Sequence, residues 1–358
     1  AQGAPPRGRA VAAALAALAL AAAGAPGPLP PPLPPPGAAE APAAPARGEP
    51  GDALELLWSH RLDFAAGGAP AVTVRLMEGQ AEVAFRPRAR ARLVPRGGAA
   101  VEVPAGELLR VRALHALPAA LAHHPLLGET AYADRARLAA LRRTWQDRGV
   151  ALEERLVGGV YGIAGRVVDN RRVLLLARGN GSADFARDFA EEALALHGGR
   201  TGTLTEVVRR PAGELEVTDA AGRRLAAADA LVTLEVEEDA GVVVSGVEHD
   251  LGYAAHGRED RAYRGRLHLT LDASGRLAAV VALPLEELLR GLVPSEIPPG
   301  AAREALRAQA VTARSNVLAQ IGTRHLADPW MLCSEVHCQA YRGETAQTAA
   351  TDAAVRDT

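Results

Sequence analysis

Three groups of residues toward the C-terminal end have types and spacings suited to chemistry. The first is Glu296, in Pro294-Ser295-Glu296-Ile297-Pro298-Pro299, a carboxylate between prolines that leave it little conformational freedom to lose. Such a carboxylate could give and take a proton, and it could equally cap a helix. The second is Cys333-x3-His337-Cys338, where both cysteines of the chain sit, with His325 upstream. These four would supply a tetrahedral S2N2 set for zinc; a Cys333–Cys338 disulfide is the competing use of the same pair in an exported chain. The third is Arg303, Arg307 and Arg314, which at about 100° per residue share one side of a helix. A guanidinium row there could hold Glu296 ionised or bind an anion, and solvated arginines are the alternative.

The elements that must position these groups follow from periodicity. Two alternating runs, Arg266 to Asp272 and Leu277 to Leu283, read as strands joined at Ser274-Gly275. Pro284 starts a helix from Leu285 to Val293, which Pro294 limits, so Glu296 falls on the bend that follows. A second helix from about Pro299 to Ile321 carries an apolar stripe at Ala302, Leu306, Ala310, Ala313, Val317 and Ile321 and ends at Gly322.

Upstream, Val72, Val74 and Leu76 alternate toward Ala81, Val83 and Phe85 across Glu78-Gly79, and β patterning continues from Leu93 to Val111. Residues 130–148 switch to helical spacing at Ala136, Leu138, Leu141 and Trp145. Val157 to Val168 and Arg172 to Ala177 then flank Asp169-Asn170, read as a tight turn. Ser182 caps a helix bearing Phe185, Phe189 and Ala193 that ends at Gly198-Gly199. This α, ββ, α order over 130–200 resembles a SPOR glycan-binding module in size and order. Residues 213–283 return to β alternation through Leu215, Val217, Val232, Leu234, Val236, Val242 and Val244. The expected fold class is α+β, mainly β, with a helical element bearing the site and an α/β insertion. His115, His123, His124, His249 and His256 have no metal-ligand spacing and read as surface or core residues.

The 358 residues set a prior of two folded units. Forty basic residues, all arginine, against 42 acidic ones leave a net charge of −2, which speaks against a nucleic-acid partner held by bulk electrostatics. Arg7 and Arg9, the uncharged run Ala10 to Ala23 and then Ala23-Gly24-Ala25 form a secretory signal pattern over 1–25, with an Ala-rich tail as the alternative. The run falls short of the ~20 residues that span a bilayer, so no stable membrane span is expected after cleavage. Residues 26–50 hold 11 of the 25 prolines and read as part of a linker, 26–52. The expected order is signal 1–25, linker 26–52, a β-rich part 53–129, the α/β insertion 130–200 and a site-bearing region 201–358, in a protein exported to the periplasm or cell envelope.

The strings LPLEELLRGLVPSEIP, EALRAQAVTARSNVLA, CSEVHCQAYRG and TDAAVRDT, in that order, resemble the SpoIID/LytB family, which includes stage II sporulation protein D and amidase enhancers. The resemblance covers 263–358, with weaker β-rich similarity over 70–115. It implies a peptidoglycan lytic transglycosylase acting on glycan strands that lack stem peptides, with Glu296 as the catalytic acid. It further implies substrate contacts at Arg314, Gln309 and Tyr341, zinc held by Cys333, His337 and Cys338, to which His325 could add the fourth ligand, and glycan strands and a cell-wall amidase as partners. One carboxyl group suffices for that reaction, because the sugar's own C6 hydroxyl is the nucleophile and closes a 1,6-anhydro ring. The acid must hold its proton near neutral pH. Apolar neighbours at Pro294, Ile297 and Pro298 favour this, and an ion pair with Arg314 would oppose it, which assigns Arg314 to substrate binding or loop architecture.

The chain departs from the family at Ile297, where members often have Met, and at Ser315-Asn316, where they have Thr-Tyr. An aromatic that would line a glycan groove is thereby missing. The family's domain is also expected to continue beyond Thr358. A non-catalytic amidase enhancer or glycan-binding protein is the alternative function that the resemblance carries.

Overall fold

Alternating apolar residues fold more of this chain into strands than into helices, as a computed structural model covering residues 52–65, 68–197, 201–250, 254 and 256–358 describes. The expected signal segment, the linker up to Gly51 and the helix end at Gly198-Gly199 lie outside the described residues. Among the described residues no helix is long and apolar enough to cross a membrane.

Helix α1 (Ala53–Ser59) precedes strands β1 (Asp63–Phe64), β2 (Pro70–Gln80), β3 (Glu82–Pro87), β4 (Ala91–Pro95), β5 (Val101–Val103), β6 (Leu109–Leu117) and β7 (Ala120–Ala131). Helix α2 (Arg135–Gln146) leads to β8 (Leu152–Val157), β9 (Val160–Ile163), β10 (Arg166–Asp169), β11 (Arg172–Ala177) and helix α3 (Ala183–His197). Next come β12 (Gly202–Arg209), β13 (Ala212–Thr218), β14 (Arg224–Asp229), β15 (Leu231–Val236), β16 (Val242–His249), β17 (Gly257–Tyr263), β18 (Arg266–Leu271) and β19 (Leu277–Pro284). Helices α4 (Leu285–Glu296) and α5 (Arg303–Gln320), the short β20 (Leu332–Cys333) and helix α6 (Ala349–Arg356) complete the order. The fold is α+β and mainly β, as expected from periodicity.

The chain divides into two compact units. One contains His123–Leu156 and Val173–Leu204 together with the described residues up to Leu56. Its sheet runs β12-β7-β11-β8, a βαββαβ arrangement in which the strands, numbered within the unit, lie in the order 4-1-3-2. Trp145 from α2 and Phe189 and Ala193 from α3 close over Leu127, Leu175 and Ala177 of the sheet. Asp134 caps α2 by accepting a hydrogen bond from the Arg137 N–H at 3.0 Å. The outer strand β12 and most of β7 fall outside the 130–200 span read from helical spacing.

The other unit holds two large sheets, the β9–β10 hairpin and helices α4 to α6. The first sheet has the order β1-β2-β19-β18-β15-β4-β5, with β20 added in parallel beside β2; the second runs β14-β13-β6-β3-β16-β17. Strands β18 and β19 are buried along nearly their whole length. Both faces are covered, so β19 is apolar nearly throughout and the alternating β18 buries its polar residues too: strands of the second sheet pack against β2, β18 and β19, while α4 packs on β2 and β19. Two-sided burial also encloses His268 of β18, whose Nδ1 lies 2.9 Å from the Thr233 hydroxyl on β15.

One turn expectation is corrected. The β9–β10 hairpin turns at Ala164-Gly165, where both residues have positive φ (48° and 74°), as the tight two-residue turn of a twisted hairpin requires. Asp169-Asn170 lies beyond the hairpin, and Asn170 works elsewhere. Its Oδ1 accepts from the Gly159 N–H at 2.7 Å, and its Nδ2 donates to the carbonyls of Leu318 and Ile321 at 2.7 and 2.8 Å. The Gly158 N–H donates to the Gly322 carbonyl at 2.7 Å. The hairpin segment thus satisfies carbonyls at the C-terminal end of α5 that the helix itself leaves without donors.

Burial, and secondarily the Arg266 charge, depresses the His268 imidazole to about 4. In the unfolded chain histidine titrates near 6.5, so between these values the unfolded state binds the extra proton. Stability is therefore complete above about pH 6.5 and falls as the pH drops toward 4, by up to about 3 kcal/mol. His268→Leu should flatten the dependence of Tm on pH across that window. An unchanged slope would refute a neutral buried imidazole.

Candidate active site and metal centre

Glu296 is placed by a helix that grows directly out of the central sheet. Strand β19 ends at Pro284 (φ −59°, ψ 143°), which opens α4, and Leu285, Leu288, Leu289, Leu292 and Val293 bury one face. Pro294 does not end the helix as expected. It sits in the last turn, the helix runs on through Glu296, and the extended Ile297 (φ −138°) donates its N–H to the Val293 carbonyl. Proline removes only its own N–H, and near a C-terminus that loss is local; the Ser295 hydroxyl donates to the Gly291 carbonyl at 2.7 Å in the same turn. Glu296 therefore stands on a helix end with its side chain exposed, and the Ala340 N–H donates to its Oε1 at 2.6 Å. A negative charge is poorly placed at a helix C-terminus, and this amide is the donor that meets it.

Helices α5 and α6 brace α4 through charge. Arg314 makes a bidentate contact with Glu286 in the first turn of α4, both bonds at 2.8 Å, and donates to the Val355 carbonyl of α6 at 3.3 Å. Arg303 pairs with Asp357 at 2.9 Å, and Arg307 with Glu304 at 3.2 Å. The arginine row is thus engaged in assembling the three helices. Of the two roles expected for Arg314, its contacts are those of architecture, and its carboxylate partner is Glu286, not Glu296.

The loop after α5 brings His325, Cys333, His337 and Cys338 together, with all ligand atoms within 4.8 Å of one another. His325 Nε2 is 3.3 Å from Cys338 Sγ, and His337 Nδ1 is 3.7 Å from each sulfur. A tetrahedral ion with zinc-like bond lengths spaces its ligand atoms by roughly 3.3–3.8 Å, so the four can hold a metal with little movement. Asp328 lies 2.9 Å from His325 Nδ1, which orients the ring and leaves Nε2 toward the sulfurs. Ligation through His337 Nδ1 would require Nε2 to carry the proton, and hence Arg324, 3.3 Å from Nε2, to yield that contact.

Both cysteines are free and buried. The hydrogen bond from Cys338, then those from His325 and His337 acting against burial, draw the Cys333 thiol down to about 2; Cys338 is pushed up by the same partner and by burial. A bound metal would take both sulfurs as thiolates, displacing their protons.

The segment that follows returns to α4. The Gly343 carbonyl passes so close that a Cβ at Gly291 would lie 2.6 Å from it and 2.7 Å from the Tyr341 ring. Tyr341, expected as a substrate contact, is instead a core residue, 2% exposed, its ring 5.7 Å from that of Tyr263. The aromatic is drawn inside because the small Gly291 surface of α4 leaves room for it. Gln309 stays half-buried on α5. Sequence reading missed Ala340, which acts through its backbone and leaves no side-chain signal, and Glu286, whose only signal was its place in a first helical turn.

The family model for SpoIID, stage II sporulation protein, matches residues 273–358. No curated protein and no solved structure matches the chain. The matched span contains Glu296, Arg314 and all four metal-competent residues.

The Gly291 contact makes a sharp demand. Gly291→Ala should lower stability by about 1–3 kcal/mol, since backbone and a buried ring must both shift to admit a methyl group. Denaturant unfolding measures this, and a change below about 0.5 kcal/mol would mean that the loop yields freely.

Proposed function

We propose that this chain, which carries a SpoIID domain over residues 273–358, is a peptidoglycan lytic transglycosylase that cleaves glycan strands lacking stem peptides. The supporting observation is Glu296: an exposed carboxylate at the end of a buried helix, inside that domain, held at 2.6 Å by a backbone amide. In the reaction Glu296 gives its proton to the oxygen linking an N-acetylmuramic acid to the next sugar. The C6 hydroxyl of the same muramic acid attacks C1 as that bond breaks, and Glu296 recovers a proton from the attacking hydroxyl. No water is consumed. The products are a 1,6-anhydromuramic end and a free 4-hydroxyl, and one carboxyl group serves both proton transfers.

The metal we propose is zinc, matching the S2N2 donors and their spacing. Bound there, it would supply a rigid crosslink within the loop and no step of the reaction. Arg314 serves the site by joining α4 to α5 and α6. The βαββαβ unit is proposed as a second glycan-binding module, in line with its resemblance to SPOR domains. Strands without stem peptides arise when an amidase acts first, which makes a cell-wall amidase the expected partner. Such a substrate also requires export, which residues 1–25 would direct.

Digestion of purified, peptide-stripped glycan strands tests the reading, with mass spectrometry of the products. The chain should release 1,6-anhydro-N-acetylmuramic ends and Glu296→Gln should reduce them at least 100-fold. Products from neither would turn the assignment toward a binding or amidase-enhancing role, and equal products from both would remove Glu296 from the chemistry. Elemental analysis of protein purified under reducing conditions should find one zinc per chain, lost in Cys333→Ser; metal-free wild-type protein would overturn the zinc assignment.

A further inference from the structure

Glu296 ends α4, and beyond it the chain turns away as extended backbone, so nothing in the helix restrains the carboxylate. A long side chain at such a position retains rotamer freedom worth about 1–2 kcal/mol, and a general acid must be held within a fraction of an ångström of its target. The contact that restrains it is the Ala340 N–H.

Ala340 lies in neither helix nor strand, and its peptide plane is set from two sides. On the downstream side the Tyr341 N–H donates to the Ser334 carbonyl at 3.0 Å, the Tyr341 ring is buried and Gly343 rests on Gly291. Those contacts are one backbone hydrogen bond and packing, and none of them uses a metal-competent side chain. On the upstream side stands Cys338, two residues away, with its sulfur among the four metal-competent groups. Its remaining ties are a bond from its N–H to the Glu335 carbonyl at 3.1 Å and a long one, 3.4 Å, from Gln320 Nε2 to its own carbonyl. The Arg324 guanidinium also donates to the neighbouring His337 carbonyl at 2.8 Å. Sulfur forms only weak hydrogen bonds, so a bound ion would be the strongest tie on this side.

We propose that the Ala340 N–H is the positioning contact of Glu296 and that metal held by His325, Cys333, His337 and Cys338 governs it, so that metal loss releases the acid while the fold remains. The inference rests on the proposed role of Glu296 for its consequence in catalysis, but not for the contact itself. Metal thereby controls turnover through a backbone amide, with no ion near the reacting atoms.

The full chain, labelled with carbonyl-13C glutamine and 15N alanine, reports this directly. Three Gln–Ala bonds exist, at Gln80-Ala81, Gln309-Ala310 and Gln339-Ala340, so three amide signals are expected. In zinc-loaded protein Glu296→Ala should shift the Ala340 signal upfield and speed its hydrogen exchange at least tenfold, leaving Ala81 and Ala310 unmoved. Chelation of zinc should do the same to Ala340 in the parent chain, with the far-UV spectrum retained, and should lower kcat at least tenfold with KM little changed. An Ala340 signal indifferent to Glu296→Ala would overturn the contact, and one that survives chelation would overturn metal control. If the amide responds as expected while no glycan is cleaved in either state, the catalytic reading fails and this coupling stands.

Discussion

The site depends on the absence of a side chain at Gly291. Because that position of α4 presents bare backbone, the Gly343 carbonyl can come down onto the helix and the Tyr341 ring can pass beneath. The segment from Cys338 to Gly343 is then laid along the end of α4, where Ala340 meets Glu296. Just downstream, Gln347 reaches Glu287 at 3.1 Å and Arg264 reaches Glu344 at 3.0 Å, tying the continuing chain to the first turn of α4 and to the turn between β17 and β18. One crowded contact thus seats the downstream end of a loop whose upstream end carries metal-competent residues.

Charge then holds the helices in place around that contact. All basic residues of the chain are arginines, and Arg314 uses the property that distinguishes it from lysine: a planar fork that meets both oxygens of Glu286 and still reaches the Val355 carbonyl. The pairs of Arg303 and Arg307 are more exposed and are screened by solvent. Arg303 meets Asp357 at the C-terminal end of the short α6, whereas the Arg307–Glu304 pair lies within α5.

Much of this arrangement was legible in the residues. The strand–strand–helix–helix order around Glu296 follows from alternation giving way to helical spacing, and the four metal-competent residues announce themselves by type and interval. What could not be read depends on contacts distant in sequence. Pro294 looked like a stop because proline usually is one, yet a helix within one turn of its end loses little by continuing. The family resemblance put Tyr341 against substrate, and a shared motif does not say which side of the backbone this ring takes. Ala340 contributes an amide, which every residue but proline possesses. Asn170 carries the residue type of a turn, and nothing local reveals that its carboxamide faces α5, some 150 residues on.

That carboxamide changes what kind of insertion this is. Segments of the βαββαβ unit precede and follow the β9–β10 hairpin in the chain, yet the hairpin belongs with the site-bearing unit and supplies hydrogen bonds at the end of α5. An insertion of independent standing could be cut out, exchanged or transplanted, leaving its host whole. Removing this one at its outer boundaries would strip donors from the helix that leads into His325. The boundary between the units is therefore not a clean cut in the chain: a hairpin lying between two segments of one unit is a component of the other.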